Sequence, residues 1–202
     1  MSKVKIQGNS SGTGTFTISA PNSNTDRSLT LPDGAGEILL SDGDGSSLTG
    51  VVPDNTPCFE AYRSVSNQVM NHNTVTKVNF DGETFDTTSD YDNSSNYRFT
   101  PSVAGYYQVN LSLKMLCTTN RTYYLATILV KNGSQIKDSV RSYKMDSGQN
   151  EDNGLSALVY MNGSTDYLEG HHYHYDYTSN STIEIDNSSQ GSFFSAYLVR
   201  KP

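Results

Sequence analysis

The chain has 202 residues, of which 34% are hydrophobic and 17% charged, and its net charge is −7 at neutral pH. No apolar run reaches the roughly 18 residues of a helical membrane span. The sign of the charge and the lack of a basic stretch argue against binding to a phosphate backbone, and so low a charged fraction is unlike an acidic disordered tail.

Residues 1–52 are built from Gly, Ser, Thr, Asp and Asn, with Phe16 as their single aromatic. Residues 1–7 contain no apolar core, so no export signal is expected. Short strand-like pieces occur at 15–18, 28–31 and 37–40. The last two are separated by the turn signal Pro32-Asp33-Gly34-Ala35-Gly36. A hairpin of this size is marginal in water, so the segment is expected to fold against another protein or against copies of itself. Pro53 and Pro57 then stiffen a linker at 53–57.

Residues 58–202 read as one all-β domain. Strands are expected at 58–64, 74–80, 105–117, 122–131, 154–161, 166–177, 181–186 and 192–200, with no amphipathic helix. Alternation is clearest after Gly105, where Tyr107, Val109, Leu111 and Leu113 share one face and Gln108, Asn110 and Ser112 the other. About eight strands separated by regular turn signals suggest a sandwich or jelly roll.

Two stretches are more specific. The first is the series Phe80, Asp86, Tyr91, Phe99, Gly105 and Tyr107. The second is the closing run at 192–199, with Phe194 and Tyr197. Together with the Lys131-Asn132-Gly133 turn, they resemble the globular head of complement component C1q, one of the tumour-necrosis-factor-like jelly rolls. The likeness spans 58–202, with one residue more than usual between Tyr91 and Phe99, and Val109 where Phe is frequent. It implies that Phe80, Tyr91, Phe99, Tyr107, Phe194 and Tyr197 belong to the fold signature, with the aromatics filling a core. Gly105 would let the chain turn into a central strand. The resemblance further implies a homotrimer about a threefold axis.

The runs at 12–22, 29–33 and 47–51 are similar to modules of phage fibres and other virion appendages. Together the two resemblances imply a virion protein assembled in the host cytoplasm. Residues 1–52 would attach to another virion protein, and the head would be a tail fibre or receptor-binding tip contacting a host surface glycan or protein. A capsid decoration or head fibre is the alternative role, and a polysaccharide-cleaving fibre enzyme a third.

Candidate sites are few. The stretch 167–177 holds three of the four histidines. On a strand, His172 and His174 share one face, and His171, Tyr173, Tyr175 and Tyr177 the other. A His-x-His pair near a threefold axis would bring six imidazoles together, a plausible octahedral metal site; a polar strand face is the plainer reading. The acids Asp90, Asp92, Asp146, Glu151 and Asp152 suggest either calcium or solvated loops. Loops at 86–98, 118–123, 143–153 and 174–191 offer Tyr91, Tyr97, Tyr143, Tyr175 and Tyr177 as receptor contacts, Tyr being a residue of adaptable recognition surfaces. Gly8-Asn9-Ser10-Ser11-Gly12 matches a nucleophile-elbow pattern, but no helix follows it and the reading is rejected. Cys58 and Cys117 are expected to be reduced.

Overall fold

The computed structural model describes residues 55–202 apart from Thr118, together with residues 10–15, 17, 19, 22–26 and 28. The expected N-terminal strands and the anchoring role of 1–52 fall largely outside the described residues. The chain divides into two compact units, Met1–Gly50 and Val51–Pro202, and the second carries all the strands considered below.

Thirteen antiparallel strands form two facing sheets among the described residues. The first sheet runs β4 (Gly82–Asp86), β1 (Cys58–Tyr62), β13 (Phe193–Arg200), β7 (Ala104–Leu116), β10 (Asn150–Asn162). Beyond the end of β13, β7 pairs with β12 (Ile183–Ile185), which pairs in turn with β2 (Gln68–Met70). The second sheet runs β5 (Tyr91–Asp92), β6 (Arg98–Phe99), β11 (Leu168–Asp176), β8 (Arg121–Lys131), β9 (Ser134–Met145), with β3 (Thr76–Lys77) also on β11.

The core lies between the sheets and follows the period of two that strands impose. From β7 it takes Tyr107, Val109, Leu111, Leu113 and Met115; from β8, Tyr123, Leu125 and Leu129. The ring of Phe59 stacks on Tyr91 at 4.7 Å and on Phe99 at 4.4 Å, and meets Phe194 edge-on at 5.1 Å. Such pairs add about 0.5–1.5 kcal/mol each beyond the area they bury.

Phe80, Tyr91, Phe99, Tyr107 and Phe194 are core residues, but Tyr197 is not. The inward set on β13 is Phe194, Ala196 and Leu198, and Tyr197 faces outward with 40% of its surface exposed. Gly105 is required by close packing rather than by a turn. A Cβ there would stand 2.6 Å from the carbonyl oxygen of Arg200, where β13 slips register against β7. Gly170 has a similar role inside the core, since a Cβ would come within 3.0 Å of Phe80.

The expected strands at 105–117, 122–131 and 166–177 correspond closely to β7, β8 and β11. β9 was not expected, because Ile136 and Val140 fall on one parity and Tyr143 and Met145 on the other, so no period of two marks it, and nearly all of it is exposed.

Candidate functional site

Strand β11 separates two chemistries. Its inward residues are Leu168, Gly170, His172, His174 and Asp176; its outward residues include His171, Tyr173 and Tyr175. Leu168 therefore sides with the two histidines, and the tyrosine row faces solvent.

The inward histidines are fully buried. Their rings stack at 5.5 Å, and His72 approaches His174 edge-on at 6.1 Å. His174 Nε2 lies 3.0 Å from the Ser181 carbonyl, which can only accept, so that nitrogen carries the proton. The Nδ1 of His174 and both ring nitrogens of His172 lack a hydrogen bond. Burial, reinforced by His174, pushes the His172 imidazole down to about 3, and burial also lowers His174.

Beside them, Asp176 accepts from Ser181 Oγ at 2.6 Å and from Thr178 N–H at 2.8 Å, and its own N–H donates to His72 Nδ1 at 3.1 Å. Burial alone would raise its carboxyl, but these side-chain and backbone donors hold it well below the usual carboxylate range. His172 and His174 point into the sandwich of their own chain. An axial metal site needs imidazoles on a surface that several copies share, so the fold overturns that expectation. Among the described residues, no three His, Cys, Asp or Glu side chains are grouped to hold a metal.

The expected calcium acids are engaged in turns and edges. Asp92 accepts the N–H groups of Ser94, Ser95 and Asn96, which lower its carboxyl. Asp90 accepts from Thr88 and from both donors of Ser102. Arg141 pairs with Glu151 at 3.3 Å.

The outward face of β11 and β8 makes the candidate binding site. Cross-strand register places Tyr173 opposite Ala126 and Tyr175 opposite Tyr124, and the N–H of Tyr177 donates to the Thr122 carbonyl. Tyr124 and Tyr173 meet edge-on at 6.0 Å; Tyr175 and Tyr177 do so at 5.4 Å. Together these four tyrosines line a hollow of about 280 Å³. Ala126, Ile128 and Val130 form a buried apolar strip on the same face, against which Tyr124 and Tyr173 pack. The frame is held in place by Tyr173, whose hydroxyl donates to Asn73 Oδ1 at 2.8 Å, and by His72, whose ring lies 4.8 Å from that of Tyr175.

Farther along β11, Glu169 bonds Lys77 Nζ at 2.9 Å and His171 Nε2 at 3.1 Å. Burial would raise the Glu169 carboxyl, yet these two partners hold it below its ordinary value; burial lowers His171, partly offset by Glu169.

Among the expected receptor tyrosines, Tyr175 and Tyr177 come together at the hollow. Tyr143 stands apart on β9 with 46% exposure. Tyr97 is half-buried in a left-handed turn position at φ 48°. Tyr91 is a core residue whose hydroxyl donates to the Phe80 carbonyl at 3.2 Å, so it cannot serve as a surface contact. Sequence reading missed Tyr124, and missed His72 as a neighbour of the histidine pair. Tyr124 follows from the outward parity of β8 once β8 and β11 are known to pair; nothing local ties position 72 to position 174.

The opposite sheet carries a second outward feature. Tyr106 stands opposite Tyr160, their rings 5.4 Å apart. On the next outward rung Gln108 lies between Leu158 and Tyr197. Tyr106, Leu158, Tyr160, Tyr197 and Val199 are each 40–61% exposed.

No family model matches the chain, and no curated protein matches it in sequence. Solved structures do match. Eiger TNF from S. frugiperda is 8% identical over 72% of this chain and 93% of that one, with a TM-score of 0.53. Murine APRIL, solved at pH 5.0, is 11% identical over 70% of this chain and 98% of that one, with a TM-score of 0.49. The globular domain of zebrafish complement 1qA is 13% identical over 72% of this chain and 99% of that one, with a TM-score of 0.41. The order of the strands and the likeness to Eiger TNF give residues 58–202 an all-β jelly-roll sandwich fold similar to that structure's.

Proposed function

We propose that the protein is a non-enzymatic, homotrimeric phage appendage whose jelly-roll head recognises the host surface. The observation that carries this reading is an exposed apolar patch on one outer face and a tyrosine-lined hollow on the other. The β7/β10/β13 face exposes a contiguous patch of Tyr106, Leu158, Tyr160, Tyr197 and Val199. Exposed apolar patches of this sort mark interaction sites, and this one suits contact between copies. Three as the number of copies follows from the C1q-like resemblance of the head. The tyrosine hollow lies on the other sheet, where contact between copies through the first face leaves it open to a ligand.

The phage context rests on the fibre-like runs at 12–22, 29–33 and 47–51. Residues 1–52 then attach the head to another virion protein. The hollow is lined by tyrosines and no carboxylate, whereas glycoside hydrolysis typically uses a pair of carboxyl groups, so binding fits it better than cleavage. Three weak sites per trimer, repeated over a particle, raise avidity without new contacts.

Competition and labelling test the reading together. Purified protein is expected to block adsorption of the phage to its host, and an antibody against the head is expected to label the tail. Unimpaired adsorption with label over the capsid would assign the protein to capsid decoration instead.

A further inference from the structure

We infer that the tyrosine hollow is a subsite for one or two neutral pyranose rings of a surface polysaccharide. This rests on the recognition role proposed above and adds the ligand class and the residues that hold it. The hollow, at about 280 Å³, lies near the lower end of small-molecule pockets, so it suits a ligand of one or two rings.

Its lining is aromatic. The face of each tyrosine ring carries the negative lobe of its quadrupole, and the C–H groups on one face of a pyranose present the matching partial positive charge. The rim is polar as well. Tyr173 spends its hydroxyl proton on Asn73, while the hydroxyls of Tyr124, Tyr175 and Tyr177 make no hydrogen bond to the described residues and remain for a sugar's hydroxyls.

Charge narrows the class. The hollow is lined by no cation, and the chain as a whole is acidic at −7. An anionic sugar therefore finds no counter-charge and meets an unfavourable field, whereas a neutral one loses nothing. The site is also fixed before binding. Tyr124, Tyr173 and Tyr175 stand on paired strands, Ala126 beneath them is 3% exposed, and His72 backs Tyr175. Residues mounted on strands hold a geometry better than residues on loops.

Saturation-transfer NMR and titration of the full chain test this. The probes are glucose, galactose, N-acetylglucosamine and their disaccharides, with sialic acid and choline as comparators. At least one neutral sugar is expected to receive saturation. Tyr175→Ala and Tyr177→Ala are each expected to weaken its binding about tenfold, the scale of one aromatic contact. Tyr175→Phe keeps the ring and most of the affinity; Tyr143→Ala, outside the hollow, changes nothing. Both positions are exposed, and circular dichroism verifies that the variants fold.

The inference is overturned if no neutral sugar binds, if only sialic acid or choline binds, or if Tyr175→Ala binds the sugar as well as the parent. Host-cell adsorption separates the two readings. Sugar binding at the hollow without adsorption to cells leaves the site standing and removes the recognition role. Adsorption to cells with no neutral sugar bound at the hollow does the reverse.

Discussion

The two outer faces of the sandwich differ although both are rich in tyrosine. On the β7/β10/β13 face, Tyr106, Tyr160 and Tyr197 are accompanied by Leu158 and Val199, and Leu158 is the most exposed at 61%. On the β8/β11 face the aliphatic residues Ala126, Ile128 and Val130 are buried beneath their neighbours; outward stand the tyrosines and, opposite Ala126 on the edge strand β9, Val140 at 42% exposure. An aliphatic side chain offers only area, so it is when several lie together in one exposed patch that they point to a covering surface. A tyrosine has a hydroxyl for water and for a polar ligand alike. The same residue type is thus set in two different surroundings, a wide patch with Leu158 and Val199 on one face and a hollow of four rings on the other.

Placing charges on each face is the strongest way to break this contrast. In the proposed trimer, Leu158→Asp combined with Tyr160→Asp would bury carboxylates between copies at a cost of several kcal/mol. Light scattering should show the mass falling to a third, while Tyr175→Asp on the other face leaves it unchanged. Loss of assembly in both variants, or in neither, would dissolve the distinction between the faces.

The next effect comes from behind the tyrosine face. The folded core keeps His172 neutral, with its imidazole lowered to about 3, whereas the unfolded chain protonates near pH 6.5. Above that pH both states are neutral and nothing is lost. As the pH falls below it, the unfolded chain takes up a proton the core refuses. Stability then drops by about 1.4 kcal/mol per pH unit for each such histidine until the folded value is reached. His174 is shifted in the same direction. Urea midpoints measured from about pH 7 to about pH 4 should fall steeply, and the slope should be shallower in His172→Leu. An unchanged slope would mean that the ring is not held neutral.

The smallest effect sharpens the tyrosine face itself. Glu169→Gln removes the charge that pairs with Lys77 and His171. Partial exposure of Lys77 screens that pair, so a loss of about 1 kcal/mol is expected in urea unfolding. The hollow is expected to keep its sugar affinity, because neither Glu169 nor its partners line it.

Much of the fold was legible in the sequence where burial constrains alternate residues. Strand β7 is buried on one face along its whole length, and its period of two is plain. The split of β11 into a histidine face and a tyrosine face could be read from parity alone, though not which face lay inside. Strand β9 left no such trace. It is an edge strand exposed on both faces, so neither side of its sequence had to be apolar.

Tyr197 was misread because β13 places aromatics on both sides, Phe194 inward and Phe193 and Tyr197 outward; an aromatic marks a core only where the outer face is polar. The histidine cluster needed information that no local pattern holds. His72 reaches His174 because the N–H of Asn73 bonds the carbonyl of residue 174, a link between segments about 100 residues apart in the chain.

The two ends of the head lie side by side. Cys58 pairs with Tyr197 across β1 and β13, and the N–H of Leu198 reaches back to the carbonyls of Asn55 and Pro57. The head is therefore a cassette with its entrance and exit at one doorway. It can be spliced into a surface loop of an unrelated carrier without spreading that loop apart. It can also be circularly permuted, joining position 200 to position 58 through a short bridge and opening the chain at the exposed turn of 146–149.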